Sequence, residues 1–157
     1  MLIGAAGILG SGAAFTSSYL VSNDQAVNTL DATDVTVSID EEFESPKDPE
    51  PGDVITKKPR AVNTSSIGIY VRMRAEMTNC DLLEPLVIND GWTLKPDGFY
   101  YYKEVLKPGE STENLFDSVT IKSSVQKDDI KDLDVLVYAE AVQAGNLTAE
   151  EAWAAMD

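Results

Sequence analysis

The chain has no histidine, a single cysteine and few basic residues, and each shortage closes off a class of function. Without histidine there is no His-based zinc site, no Ser-His or Cys-His nucleophile pair and no general base of the commonest kind, so hydrolase readings fall away. Cys80 alone cannot form an internal disulfide, and stability has to come from a packed core. Beside Asp81 its thiol is expected to be a small, half-buried apolar group and not a nucleophile. Lys and Arg number 12 against 27 Asp and Glu, a net charge of −15 and a pI near 4.2. The first basic residue is Lys47, and the 46 residues before it hold seven acids. Such a surface offers no cationic patch for nucleic acid or anionic lipid. Long apolar runs are missing too: Leu2 to Leu9 falls well short of the about 20 residues that a membrane-spanning helix needs.

What is present begins with that run. Leu2 to Leu9 has the size of the hydrophobic part of a secretory signal, and the small residues after it, ending Ala13-Ala14, suit a signal peptidase cutting before Phe15. Residues 1–14 are therefore expected to be a signal remnant removed on export, leaving a secreted or cell-surface protein with no stable membrane insertion. Residues 15–32 form an N-terminal segment and linker, and 33–157 a single domain long enough for a sizeable core. The competing reading of the first stretch is an N-terminal strand or a short buried helix.

The remainder is written in strands. Val35, Val37 and Ile39 alternate on one face, and the proline-rich acidic stretch after them, with Asp48, Glu50 and Asp53 able to gather a cation, is loop. Val54 to Val62 reads as a strand that Pro59 demotes to an edge or a bulge. The clearest alternation is Ile67, Ile69, Val71, Met73, Ala75 and Met77 against Tyr70, Arg72, Arg74 and Glu76, a sheet with one wet face. Cys80 to Asp90 is loop or short strand, while Trp92 to Leu94 and Phe99 to Lys103 flank a Pro96-Asp97-Gly98 turn as a hairpin. Asn114 to Ile121 is expected to be a strand, 127–134 a charged link, and Leu133 to Gln143 a central strand because it is apolar on both faces. At the end Thr148 and Glu151 form a capping box for a helix over 148–156, with Trp153 on its apolar side. The predicted fold is all-β, an antiparallel β-sandwich with a short C-terminal helix; strand patterning alone leaves immunoglobulin-like and jelly-roll topologies open.

Two sets of residues point to ligands. Trp92, Tyr100, Tyr101 and Tyr102 make a candidate surface for a carbohydrate or a protein, although strand tyrosines are more often packing residues. Asp128, Asp129, Asp132 and Asp134 are candidate calcium ligands, but they lack the glycine turn and terminal glutamate of an EF-hand loop, and no other cofactor is expected. On these features the chain could be a monomeric surface adhesin or carbohydrate-binding sandwich, calcium-dependent or not. A carboxylate-based hydrolase would need an acid pair, and nothing singles one out.

A resemblance adds a different reading. Ala13-Ala14-Phe15-Thr16, Val27-Asn28-Thr29-Leu30 and Asp34-Val35, followed in order by EPGDVITKKPRAVNTSSIGIYVRMR, GFYYYKEVLKPGESTENLFDSVTI and VYAEAVQAGNLTAEEAWAAM, resemble the TasA and camelysin (CalY) family of Gram-positive exported proteins. The resemblance covers nearly all of the chain. It implies a jelly-roll sandwich freed by a SipW-type signal peptidase, with cleavage around Ala13, Ala14 and Phe15, that polymerises with copies of itself into biofilm-matrix fibres, alongside an anchor or minor fibre protein. It also implies donor-strand assembly, in which the new N-terminal strand pairs with the next subunit's sheet and Phe15, Tyr19 and Val21 are the alternating side chains that enter it. The metalloprotease activity described for camelysin is not carried over, since this chain has no histidine for a conventional zinc site. The expected function is structural, not enzymatic.

Overall fold

The computed structural model describes residues 13–19, 25–29 and 35–156. Among the described residues nine strands and one α-helix are arranged as an all-β sandwich: β1 (Ala13–Tyr19), β2 (Gln25–Thr29), β3 (Val37–Phe43), β4 (Val54–Asn63), β5 (Ile69–Thr78), β6 (Trp92–Leu94), β7 (Tyr100–Tyr102), β8 (Ser118–Thr120), β9 (Asp134–Gln143) and α1 (Ala149–Met156). One sheet has the order β2-β1-β9-β5-β7-β6, the other β3-β4-β8. Every neighbouring pair is antiparallel.

The alternation read in β5 is the one that packs: Ile69, Val71 and Met73 are wholly buried, while Tyr70, Arg72 and Arg74 are only half-buried. From the facing sheet Val37, Ile39, Ile55, Ala61 and Val119 close over them, with Val135, Val137, Ala139 and Ala141 of β9 alongside. β9 is central as expected, held by β1 on one side and β5 on the other. Its ladder with β5 runs through ten residue pairs, from Ile69 opposite Gln143 to Thr78 opposite Asp134. The β6–β7 hairpin turns where Pro96-Asp97-Gly98 places it, with Gly98 at a φ of +87° that favours glycine.

The helix is capped as the sequence predicts. The Thr148 N–H donates to Glu151 Oε2 at 2.9 Å, and the Glu151 N–H donates to Thr148 Oγ1 at 3.2 Å. Its Ala152 and Trp153 pack on Val142, Tyr70 and Tyr101, on the face of the large sheet away from the core.

Several local readings differ from the structure, each for a backbone reason. β4 is no edge strand: β3 pairs with it from Lys57 to Asn63, and β8 joins the other side at Val54–Thr56. The N–H groups of Lys57 and Asn63 donate to Asp117 and Glu110 on that second side, so the N–H missing at Pro59 falls against an irregular segment and breaks no ladder. The strand expected over Asn114 to Ile121 shrinks to Ser118–Thr120, because adjacent Leu115 and Phe116 are both fully buried, which a strand with one wet face cannot provide. The charged link is a 3-10 turn over Lys127–Asp132, and Cys80 opens another over Cys80–Leu82, where it is exposed and not half-buried.

Candidate functional site: the N-terminal strand and its place in the sheet

The N-terminal segment is a strand of its own sheet. β1 lies along β9 from Ala13 opposite Val142 to Tyr19 opposite Leu136, and β2 covers its other edge from Ala14 opposite Thr29 to Ser18 opposite Gln25. Of the residues assigned to cleavage, Ala13, Ala14 and Phe15 are the first three of this strand. Of those assigned to polymerisation, Phe15 and Tyr19 lie in it, and Val21 is outside the described residues.

The register fixes which alternate positions of β1 lie opposite the core-facing row of β9. On β9 the core-facing residues are Val137, Ala139 and Ala141, all fully buried, whereas Leu136, Tyr138 and Glu140 are half-exposed. Directly opposed residues of an antiparallel pair share a face. The positions opposite the core-facing row are Ser18, Thr16 and Ala14; Phe15, Ser17 and Tyr19 stand opposite Glu140, Tyr138 and Leu136. Within this chain, then, the aromatic positions are registered with the outer row and the small ones with the core row.

Where this N-terminal arm joins the body, the chain is clamped. Thr36 donates its N–H to Ser65 Oγ (3.1 Å) and accepts from Ser65 Oγ at its carbonyl (3.0 Å), while Thr64 Oγ1 donates to Thr36 Oγ1 (2.7 Å). Ser65 is oriented by Asn63, whose Oδ1 accepts from the Ser65 N–H (2.8 Å) and hydroxyl (2.6 Å), and whose Nδ2 donates to the carbonyls of Ile67 (2.8 Å) and Leu106 (3.0 Å). The sequence shows Asn63-Thr64-Ser65-Ser66 only as a turn; the full burial of Asn63 is visible only once the sheets are stacked.

The aromatic residues singled out for a ligand surface are engaged with one another. Trp92 is 8% exposed, its Nε1 donates to the Glu113 carbonyl at 3.3 Å, and its ring centroid lies 4.9 Å from that of Tyr102. Tyr100 is half-buried against the core. Tyr101 meets Trp153 edge-on at 5.6 Å, its hydroxyl donates to Asp97, and it accepts from Arg72 Nη1 at 2.7 Å. Arg72 in turn binds Glu140 through Nε (2.7 Å) and Nη2 (2.6 Å), and its guanidinium carbon lies 4.3 Å from the Phe99 ring centroid and 4.4 Å from that of Trp153. Partial burial works against its charge, but Glu140 and Tyr101 outweigh burial and hold its pKa above the usual arginine value. This cluster fixes α1 on the sheet.

Asp97 titrates within the same cluster. Slight burial pushes its pKa up, and the Tyr101 hydroxyl, the Phe99 N–H and Arg72 together pull it below the usual carboxylate value. A depressed folded-state pKa means stability that is present above the unfolded carboxylate value and lost as pH falls through the folded one. Asp97→Asn is therefore expected to lower Tm at neutral pH by an amount that shrinks to nothing in strong acid, read by melting both proteins across the acid range. A constant gap at all pH values would show that charge is not the cause.

The acids assigned to calcium lie along the 3-10 turn and at the start of β9. Asp128 and Asp129 are exposed on the 3-10 turn, the side chain of Asp132 lies outside the described residues, and Asp134 opens β9 with its Oδ1 buried and without a hydrogen-bond partner. Among the described residues no three His, Cys, Asp or Glu side chains are placed to hold a metal ion. In the other acidic loop an ammonium stands where a cation would: Lys127 Nζ lies 2.9 Å from Asp48 Oδ1 and 2.8 Å from Glu50 Oε1, and those two bonds raise its pKa. Asp53 is turned to the Glu50 N–H at 2.9 Å. The group that sequence reasoning missed is Lys57, fully buried on β4 and paired with Glu41 of β3 at 2.8 Å. Its one sequence signal is parity: it shares a strand face with Ile55, Pro59 and Ala61.

The chain matches no family model, no curated protein and no solved structure. Among the described residues no helix is long and apolar enough to cross a membrane.

Proposed function

We propose that this is a TasA-like structural protein of the extracellular biofilm matrix, which polymerises into fibres when β1 leaves its own sheet and fills the same place in the next copy. The observation that carries the reading is the pairing of β1. The part of it that follows the expected cut, Phe15 to Tyr19, lies antiparallel along β9 opposite Glu140 to Leu136, yet the strand belongs to an arm that precedes the clamped root at Thr36. A neighbour's identical strand would make the same main-chain bonds in the same register, so exchange costs little beyond association itself. In this reading the N-terminal run is an export signal, a signal peptidase frees the arm near Phe15, and an anchor or minor fibre protein is a further partner besides the chain itself. It includes no catalytic step and no cofactor. The net charge of −15 would keep free monomers apart until the carboxylates are partly neutralised.

Electron microscopy of two purified monomers, one beginning at Phe15 and one at Asn23, concentrated at mildly acidic pH, tests this. Filaments are expected from the first alone. If neither polymerises while both stay folded, fibre formation through β1 is wrong, and glycan binding at Trp92 and Tyr100 to Tyr102 becomes the reading to pursue.

A further inference from the structure

The most deeply buried ionic group of the described residues serves no step of strand exchange. Lys57 has no solvent-accessible surface, and Glu41, which faces it from β3, has a side chain only 3% exposed. Nζ lies 2.8 Å from Glu41 Oε2, which sets it close to the carboxyl carbon, and 4.9 Å from the centroid of the Phe43 ring. The other Glu41 oxygen, Oε1, is buried and accepts no hydrogen bond, and the same holds for Oδ1 of Asp134 on the opposite sheet. Burying an ion pair while leaving carboxylate oxygens unbonded costs several kcal/mol, so the site retains both charges at a disadvantage. Burial lowers the pKa of Lys57 in spite of Glu41 and Asp134, which moves the amine toward its neutral, nucleophilic form.

We propose that Lys57 and Glu41 condense into an intramolecular amide that staples β3 to β4. A proton passes from Nζ to the Glu41 carboxylate, leaving a neutral amine beside a carboxylic acid. The Nζ lone pair attacks Cδ and the N–C bond forms. The adduct passes a proton from the attacking nitrogen to the departing hydroxyl; the C–O bond breaks and one water leaves. Atoms balance without oxidant or activating group. Contact already made in a closed, dry site supplies the proximity that this condensation lacks in water, and release of the water with loss of both buried charges favours the product. The staple would close the chain around the acidic loop between β3 and β4, restricting the unfolded state as any cross-link does.

The test is the intact mass of the full chain under denaturing conditions. The expected mass is that of the sequence less one water, with a branched peptide joining Lys57 to Glu41 in the digest. Lys57→Arg keeps the charge but is expected to restore the full mass in protein that circular dichroism shows to be folded. The full sequence mass for the unsubstituted chain overturns the proposal. So does a lost water that maps to Asp90-Gly91 or Asp97-Gly98, where a chain imide would form, or to a bond between Lys57 and Asp134.

Discussion

A chain carrying Thr16→Arg is expected to stay monomeric under conditions where the unsubstituted chain forms filaments, while Phe15→Arg polymerises almost unchanged. Position 16 belongs to a row that crosses the large sheet through Ala139, Met73 and Tyr100, and both Ala139 and Met73 are completely buried. A guanidinium brought to that row would be an unpaired charge inside the sandwich, a penalty of several kcal/mol. The main-chain bonds of the inserted strand contribute about 0.5–1.5 kcal/mol each. One such charge therefore cancels much of what holds the strand, in its own sheet or a neighbour's. Position 15 belongs to the adjacent row, Glu140, Arg72 and Tyr101, where a cation would meet a carboxylate at the outer face. Sedimentation and microscopy read the difference, with the near-ultraviolet signal of Trp92 and Trp153 reporting that the body stays folded. If Phe15→Arg blocks assembly and Thr16→Arg does not, the exchanged strand enters with its other face inward. If the unsubstituted chain makes no filaments at all, the fibre reading itself fails.

Asn63→Ala is expected to destabilise the folded protein by about 2–4 kcal/mol, because removing one partner from a buried hydrogen bond strands the other at roughly 1–3 kcal/mol each. The Ile67 carbonyl and the Ser65 N–H lose their Asn63 partners. The Leu106 carbonyl and Ser65 hydroxyl keep one each, Ile69 N–H and Thr36, which is why the sum stays below four full penalties. Asn63→Asp is expected to be at least as damaging, since it turns a carboxylate toward two carbonyl oxygens. Urea denaturation checks both. The effect also bears on assembly: with Ser65 no longer oriented, the clamp at Thr36 loosens, and the arm should exchange hydrogen for deuterium faster from Val35 onward. An Asn63→Asp variant as stable as the unsubstituted chain would show that the amide donors contribute little.

Much of this architecture is legible from periodicity alone. The alternation Ile69, Val71, Met73 could be read because strand side chains alternate regardless of what lies beyond them, and β9 reads as central because it is apolar on both faces. The Thr148 and Glu151 cap could be read because its bonds close within four residues. Reading failed where one position answers to two distant partners. Leu115 and Phe116 look like neighbours on opposite faces of a strand, and only the packing of the irregular segment against β4 buries both. The contacts of Trp92 with the Glu113 carbonyl and of Tyr101 with Trp153 of α1 join distant parts of the chain and are likewise not written in local spacing.

The sequence by itself determined the fold class, the terminal helix, the absence of histidine and disulfide chemistry, and the acidic surface, since these depend on composition and on spacing within a strand or a turn. Tertiary structure alone decided that the N-terminal segment lies between β2 and β9, which of its alternate positions register with the core, and that Lys57 meets Glu41 out of reach of water. Period two tells which residues share a face of a strand, but a slip of one residue exchanges the faces, and nothing local fixes the register. The choice of register rests on the stacked sheets, where Val137, Ala139 and Ala141 of β9 are buried on one side and Glu140 pairs with Arg72 on the other.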